Sequence, residues 1–443
     1  MSVFADSAGT TTVSSGAAVP TGQGSNYLPE FALWKFVLRD RLQNDLADIS
    51  AIAFDKKLHR RLNRPAVATC RVPSGNALVN TIYGGDGWGD PYLAEGTRLL
   101  AVYQRATPSS PWVIVHQGVV WYLEEAGDEN TVYTDITSMD PLAFWPMRPV
   151  RDSTGNLISP EFGDPISGPA LVKAIALNSE QAGDGTAADC EGPLFLDIGG
   201  GDYDLSGVNM TPDKVMDWPF TMGDMLTMLT DTGLCDVWVD PIDSPGSNKI
   251  GRLNAKTTAG SDRPSIHFDY GLGDYSIAQI RRSKSVDSVC NKLWYYLGPR
   301  RSRDRWAGNI TGTQTAAGGH TDMSDLVSLT SNSRSRYGVM MQIRIYDHIG
   351  AENTGRLLYE RLWRQETTLR ARPREMLYVT PKRNAIFGPQ ELKLGDVIRV
   401  NASSIIRQGF TNAAQRIYGY VTSIDDDAVQ AIEELQTSAQ EVG

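Results

Sequence analysis

The chain has 443 residues, of which 41% are hydrophobic and 21% charged, and its formal net charge is −10. This composition is typical of a globular protein with about two to four domains. The acidic excess argues against a protein that binds nucleic acid by following its phosphates. The four cysteines lie far apart, without the spacing of a zinc site or the density of a disulfide framework. We therefore expect buried free thiols in a protein that folds in a reducing cytosol.

The start of the chain and its hydropathy bear on where the protein is made. Residues 1–26 are rich in Ser, Thr, Gly and Ala, which favours a flexible N-terminal arm. They lack the basic start and apolar core of a secretion signal. No stretch reaches the roughly 18 apolar residues of a membrane helix. The sequence therefore predicts synthesis in the cytoplasm and no membrane-spanning segment.

Residues 27–150 carry the clearest strand pattern of the chain. Short apolar or alternating runs predict strands over residues 31–38, 66–73, 98–103, 112–116, 119–123 and 131–136. The pair Gln117-Gly118 reads as a turn between two of them. Residues 46–50 and 56–65 instead predict a short helix or turn. Evenly spaced short strands of this kind indicate a small barrel or sandwich.

Residues 151–275 predict a middle α+β domain. Its helices are expected at 168–178 and 221–233, the second capped by Thr221, and its strands at 235–241 and 265–270. Residues 276–425 predict a second β region that contains an exposed loop, 301–335, and a long helix, 346–371. Its strands are expected within 276–300 and at 376–380, 396–400 and 417–424. Residues 426–443 predict a charged, partly helical tail.

One segment has the spacing of a cation site. Asp202, Asp204 and Ser206, followed by Gly207 and by Asp213 at the twelfth position, match a calcium loop in part. No helix is predicted before them, and the usual final Glu is Asp. A simple Asp-, Ser- and Gly-rich turn explains the same residues, so calcium is the minor hypothesis.

Other motifs of catalysis are missing from the sequence. It has no Gly-x-Ser-x-Gly elbow, no His-Glu-x-x-His and no phosphate-binding Gly-x-x-x-x-Gly-Lys. The five histidines are scattered, and His116 and His267 lie in strand patterns that favour structural roles. The sequence therefore predicts no catalytic residue and no cofactor, and we expect a protein that is not an enzyme.

Several segments, in their order and spacing, resemble those of a known family. In the first β region they are Leu62–Pro65, Gly96–Leu100, Val115–Val120 and Ile136–Leu142, and near the C-terminus they are Tyr337-Gly338, Leu394–Val400 and Gln415–Asp425. They are similar to tail hub proteins, also described as baseplate hub or minor tail proteins, of long-tailed phages. Those from phages of actinobacteria look closest.

The resemblance implies an architecture and a set of partners. Two related β-barrel-like hub domains would flank the middle domain, and three chains would form a ring. Such a ring at the tail tip of the virion joins a six-fold tube to a three-fold tip and passes DNA. The implied partners are the chain itself, a distal tail protein or tail-tube ring, the tape-measure protein and other minor tail proteins.

Two other readings of the sequence stay open. A peripheral receptor- or carbohydrate-binding tail protein is the first, with Trp306 in the 301–335 loop as its candidate aromatic contact. A cell-wall hydrolase is the second, although no nucleophile, zinc motif or acid/base motif supports it.

Overall fold

The structure is a computed structural model. It describes residues 33–85, 89–105, 109–127, 132–151, 166–181, 195–205, 209–210, 221–231, 235–270, 277–297, 306–310, 332–346, 371, 373–381, 392–402, 413–424 and 430–438.

Strands dominate the described residues. In chain order they are β1 (Leu33–Arg39), β2 (Asp45–Asp48), β3 (Phe54–Arg61), β4 (Val67–Pro73), β5 (Leu99–Arg105), β6 (Val113–Gly127), β7 (Val132–Met139), β8 (Ile166–Ser167), β9 (Leu196–Asp197), β10 (Asn209–Met210), β11 (Asp236–Pro241), β12 (Gly251–Lys256), β13 (Asp262–Asp269), β14 (Ile277–Ser285), β15 (Lys292–Leu297), β16 (Trp306–Ile310), β17 (Met341–Tyr346), β18 (Arg374–Pro381), β19 (Val397–Asn401), β20 (Ala413–Ile424) and β21 (Gln430–Ser438). The α-helices with named bounds are α1 (Ala77–Asn80), α2 (Gly168–Gln181) and α3 (Met222–Asp231), and a further short helix covers 332–337. The predicted β-rich α+β class is confirmed.

Strands from both β regions share one large sheet. Its order is β14-β18-β21-β20-β3-β4-β7-β6-β5-β1-β2, with β19 on β20 and β13 on β19. The two regions meet where β20 pairs antiparallel with β3, from Gly419 opposite Arg61 to Ile424 opposite Lys56. Backbone hydrogen bonds therefore connect the first and second β regions directly.

Three separate hydrophobic clusters form the main core. One lies in the first β region and includes Phe36, Leu58 and Ile136; one lies in the second and includes Phe268, Ile398 and Ile417. The third includes Leu171, Met225 and Val237 of the middle region together with Leu142 and Trp145 from the end of the first β region and Cys290 from the second. Strand β13, expected in the middle domain, pairs with β19 of the second β region.

The middle region packs two helices beside a small sheet of β11, β12 and β9. Helix α3 begins where the Thr221 side chain accepts a hydrogen bond from the Asp224 backbone N–H, 3.0 Å away. The Asp224 carboxylate in turn accepts from the Thr221 hydroxyl at 2.8 Å, which forms a reciprocal N-terminal cap. The predicted cap is confirmed, and so are helices α2 and α3.

The helix or turn predicted between residues 46 and 65 is wrong, because the segment forms β2 and β3. In β3 the side chains alternate: Lys56 and Leu58 are buried, while Lys57 and His59 are half-buried. The buried ammonium of Lys56 lies 6.0 Å from the Phe36 ring centroid. Because charged residues occur on both faces of β3, its sequence lacks the alternation of apolar and polar residues that predicts a strand.

The turn predicted at Gln117-Gly118 is also wrong, since both residues lie inside the 15-residue strand β6. An added Cβ at Gly118 would lie 2.4 Å from the Met139 carbonyl oxygen. Glycine is needed here for the close approach of β7 and not for chain reversal.

Three further predictions concern the C-terminal half. The exposed loop expected at 301–335 contains β16, which pairs with β15, and the beginning of the helix 332–337. The helical tail is wrong for residues 430–438, because they form β21 inside the large sheet. A long helix was expected at 346–371. Tyr346 is instead the last residue of β17, and residues 347–370 lie outside the described part of the chain.

Candidate functional site

Several buried polar groups of the described residues lie where the three regions meet. At the first of these junctions, Arg416 of β20 donates from Nη2 to the Asp236 carboxylate of β11, 2.5 Å away. The same nitrogen donates to the Ala259 carbonyl oxygen at 3.1 Å. Asp236 also accepts from the Ala259 N–H at 2.8 Å. The second β region is thereby bound to the middle region by a closed set of charge-assisted bonds.

The Asp236 carboxylate also reaches the first β region. Asn63, in the turn between β3 and β4, donates its side-chain amide to Asp236 at 3.3 Å. The Asn63 side-chain oxygen accepts from the Val237 N–H at 2.7 Å, and the Asn63 N–H donates to the Val237 carbonyl. One carboxylate therefore contacts all three regions.

A second junction surrounds a small cavity lined by Arg60, Ala66, Val115, His116, Gln117, Asp140, Val239 and Pro241. Asp140 accepts from the backbone N–H groups of Ala66, at 2.7 Å, and Leu142, at 3.0 Å. It thereby caps the 3₁₀ helix Pro141–Met147, which leads from β7 into the middle region. The amide Nε2 of Gln117 is buried and has no hydrogen-bond partner among the described residues.

Burial changes the protonation of this junction. Desolvation raises the pKa of Asp140 to about 7, against the lowering effect of the two backbone N–H groups and Arg60. Desolvation and the charge of Arg60 lower the pKa of His116 to about 3. His116 is therefore neutral over the physiological range, as expected for a structural histidine.

Ser138, His116 and Asp140 have the composition of a catalytic triad but not its geometry. His116 Nε2 lies 3.1 Å from Ser138 Oγ. The Asp140 carboxylate bonds to backbone groups and not to the imidazole, so it does not orient the ring. Ser138 is also completely buried within the sheet, where no substrate can approach it. Ser138 and His116 therefore form a buried hydrogen-bonded pair, and Asp140 is a separate cap.

A third junction joins β1 and its turn to the loop after β11. Arg39 donates to Asp45 at 2.7 Å and to Asp243 at 2.9 Å, and Tyr103 donates to Asp243 at 2.9 Å. Gln43 donates to the carbonyl oxygens of Ser247 and Lys249 and accepts from the Ser244 N–H. Its positive φ of 63° presents the amide to that loop.

The described cysteines behave as predicted. Cys70, Cys235 and Cys290 are buried free thiols. Burial raises the pKa of Cys70 to about 12 and also raises that of Cys235, which makes both poor nucleophiles. Cys190 lies outside the described residues.

The calcium hypothesis stays a prediction. Ser206, Gly207 and Asp213 lie outside the described residues. The carboxylate of Asp202 lies 2.5 Å from Lys256 Nζ, and the backbone groups of Asp202 and Asp204 bond to Ala255. In the described ranges no group of three or more His, Cys, Asp or Glu residues could hold a metal.

The described ranges also contain no helix long and apolar enough to cross a membrane.

The sequence did not identify any residue of the three junctions as one that joins two regions. Asp140, Asn63 and Arg416 lie within segments that carry the family resemblance, which are Ile136–Leu142, Leu62–Pro65 and Gln415–Asp425, and that is the one signal that marked them. Arg416 and Asp236 are 180 residues apart, so no local spacing connects them.

Comparison with known proteins shows a shared fold. No protein-family model matches the sequence, and no curated protein matches it significantly. Among solved structures, the chain is similar to the tail protein from Neisseria meningitidis MC58, with a TM-score of 0.51, 10% identity, and coverage of 91% of this chain and 96% of that one. It is also similar to the 43 kDa tail protein of prophage MuSo2 from Shewanella oneidensis, with a TM-score of 0.51, 11% identity, and coverage of 92% and 99%. The chain therefore has, along nearly its whole length, the fold found in these two tail proteins.

Proposed function

We propose that this chain is a structural component of a phage tail, located in the virion. The observation that carries the proposal is the likeness to two tail proteins over nearly the full length of all three chains. A likeness confined to one domain would fit many proteins, because domains are reused in different functions. One that covers more than nine-tenths of each chain is far more restrictive.

More specifically, the chain acts as a hub at the tail tip. Three copies form a ring that joins the six-fold tube or distal tail ring to the three-fold tip and passes DNA. The tape-measure protein and other minor tail proteins are its further neighbours. The resemblance of Leu62–Pro65, Leu394–Val400 and the other motif segments to tail hub proteins supports this finer proposal, and so does the presence of two β regions in one chain.

The junctions support a mechanical role in place of a chemical one. Their charged groups bond to one another or to backbone groups, and the arginines Arg416 and Arg39 are buried, an arrangement that fixes regions relative to each other. Ser138, His116 and Asp140 lack both the geometry and the access that acyl transfer needs. We therefore propose that the chain has no enzymatic activity of its own.

Light scattering on the purified chain over a range of concentrations tests the hub proposal. A particle of three times 48.5 kDa is the expected result. A monomer at every concentration would contradict the self-assembled ring and favour a peripheral receptor- or carbohydrate-binding tail protein. For that alternative, Trp306 begins β16, and its side chain lies outside the described residues.

A further inference from the structure

The cavity at the second junction lies where the first β region meets the middle region. Its lining comes from β3, β6 and β11, from the residue before β4 and from the residue after β7. The volume open to the centre of a water molecule is about 10 Å³. Since one water molecule needs about 10–15 Å³ on this measure, the cavity has room for a single water and not for a polyatomic ligand.

Gln117 supplies a hydrogen-bond donor at this cavity. Its side chain is buried, and its Oε1 accepts from Arg39 Nη1 at 3.1 Å. Because an arginine side chain has donors and no acceptor, this bond fixes which end of the amide is the oxygen. Nε2 is therefore the other end, and it has no hydrogen-bond partner among the described residues. A buried donor without an acceptor is costly, so we expect an acceptor in the cavity.

Asp140 supplies acceptors on the same cavity. Its Oδ2 accepts from the Ala66 N–H and its Oδ1 from the Leu142 N–H. An ionised carboxylate has sites for about four hydrogen bonds, so both oxygens can accept further bonds. The residue is buried, so bulk solvent does not supply these bonds.

The other polar side chains that line the cavity are Arg60 and His116. Arg60 Nη2 lies 3.7 Å from Asp240 Oδ1, and Arg60 also bonds to the Tyr420 hydroxyl. The imidazole of His116 is neutral at physiological pH, because burial and Arg60 lower its pKa to about 3. The charged side chains that line the cavity are therefore Arg60 and Asp140, one of each sign.

We infer that the cavity binds one water molecule, which accepts a hydrogen bond from Gln117 Nε2 and donates one to the Asp140 carboxylate. A metal cation has no lone pair to offer and could not accept from Nε2. An anion could accept, but it would lie beside a buried carboxylate. Water both accepts and donates, which is what an amide donor and a carboxylate on one cavity require. The water is thus a bridge inside the contact between the first β region and the middle region.

The water fits both protonation states of Asp140. Burial raises the pKa of this carboxyl to about 7, so both states occur near neutral pH. The ionised carboxylate accepts from the water, and the protonated carboxyl keeps acceptor capacity and can do the same. An anion would instead favour the protonated form, and a cation the ionised form. We therefore expect the water to be present about two pH units below and about two above this pKa.

High-resolution crystal structures of the full native chain at these two pH values test the inference. The expected result in both is one isolated density peak within about 2.7–3.2 Å of Gln117 Nε2 and of an Asp140 carboxylate oxygen. Crystals soaked in bromide and in rubidium salts should show no anomalous peak there. A cavity without density, a direct bond from Nε2 to a protein acceptor, or an anomalous peak at the cavity would overturn the inference.

Gln117→Met is the matching variant, because it has a similar shape and no donor. Its crystal structure should show the occupancy of the peak reduced about twofold or more, since the water loses one of the two to four polar partners that a buried water needs. A peak at full occupancy in this variant would show that other groups hold the water, and the inference would fall. The proposed tail function does not depend on either result.

Discussion

Arg416 and Asp236 form a buried ion pair at the point where the three regions of the chain meet. Arg416 Nη2 lies 2.5 Å from Asp236 Oδ2, and only 7% and 11% of the two side chains are exposed. Each partner also bonds to the backbone of Ala259. The pair therefore sets the position of β20 relative to β11, and with it the position of the second β region relative to the middle one.

Arg416→Met should strongly destabilise the protein, because it leaves a buried carboxylate without its counter-charge. Loss of one partner of a buried pair costs about 3–5 kcal/mol. Asp236→Asn combined with Arg416→Met should cost less than the sum of the two single changes, by about 1 kcal/mol or more. Urea unfolding of the four proteins of this cycle measures the coupling.

The exposed pair of Arg399 and Asp262 is the matched control for this cycle. Its atoms are 2.7 Å apart, but 59% of the Asp262 side chain is exposed. Arg399→Met should therefore change the urea midpoint far less than Arg416→Met. Equal changes for the two variants would contradict a structural role for the buried pair.

His116 should make the protein less stable in acid. Burial and Arg60 lower its pKa to about 3 in the folded chain, against about 6.5 when unfolded. Between these values the unfolded state binds the proton more readily, so the free energy of unfolding falls as pH decreases through this window. His116→Gln should reduce that dependence. Urea unfolding between pH 3 and 7 is the measurement.

Asp140 should act in the opposite direction. Burial raises its pKa to about 7, so in the folded state the carboxyl takes up its proton at a higher pH than in the unfolded state. This group therefore contributes stability that is present below its unfolded value of about 3.9 and is lost as pH rises through about 7. Asp140→Asn should remove this contribution and leave the His116 dependence visible alone. An unchanged pH profile in Asp140→Asn would contradict the raised pKa.

The sequence predicted strands well where one face is apolar and the other polar. β4 and β7 show this alternation, and their inward residues, such as Val72 and Ile136, are buried. It failed for β3 and β21, whose charged residues favour a helix or turn when read locally. Both strands pair with partners distant in the sequence, β3 with β20 and β21 with β18, and β21 also pairs with β20, which precedes it in the chain. Such tertiary pairing overrides local propensity.

The polar junctions were beyond prediction for a similar reason. Arg39 and Asp243, or Arg416 and Asp236, become partners only after the regions have packed. A single sequence gives no spacing rule for such pairs. The cap at Thr221 was predicted, because its partner Asp224 is three residues away and the chemistry of a helix start is local.

Gly118 gives the last prediction, because its substitution tests the close approach of β6 and β7. A Cβ there would meet the Met139 carbonyl oxygen at 2.4 Å and the carbonyl carbon at 2.5 Å, and backbone atoms of a central strand cannot move aside easily. Gly118→Ala should therefore lower the free energy of unfolding by about 1–3 kcal/mol. Gly75→Ala is the control, since nothing lies within 4 Å of the Cβ it would add. It should change stability by no more than about 0.5 kcal/mol. Similar urea midpoints for both variants would mean that Gly118 is not required by its neighbours.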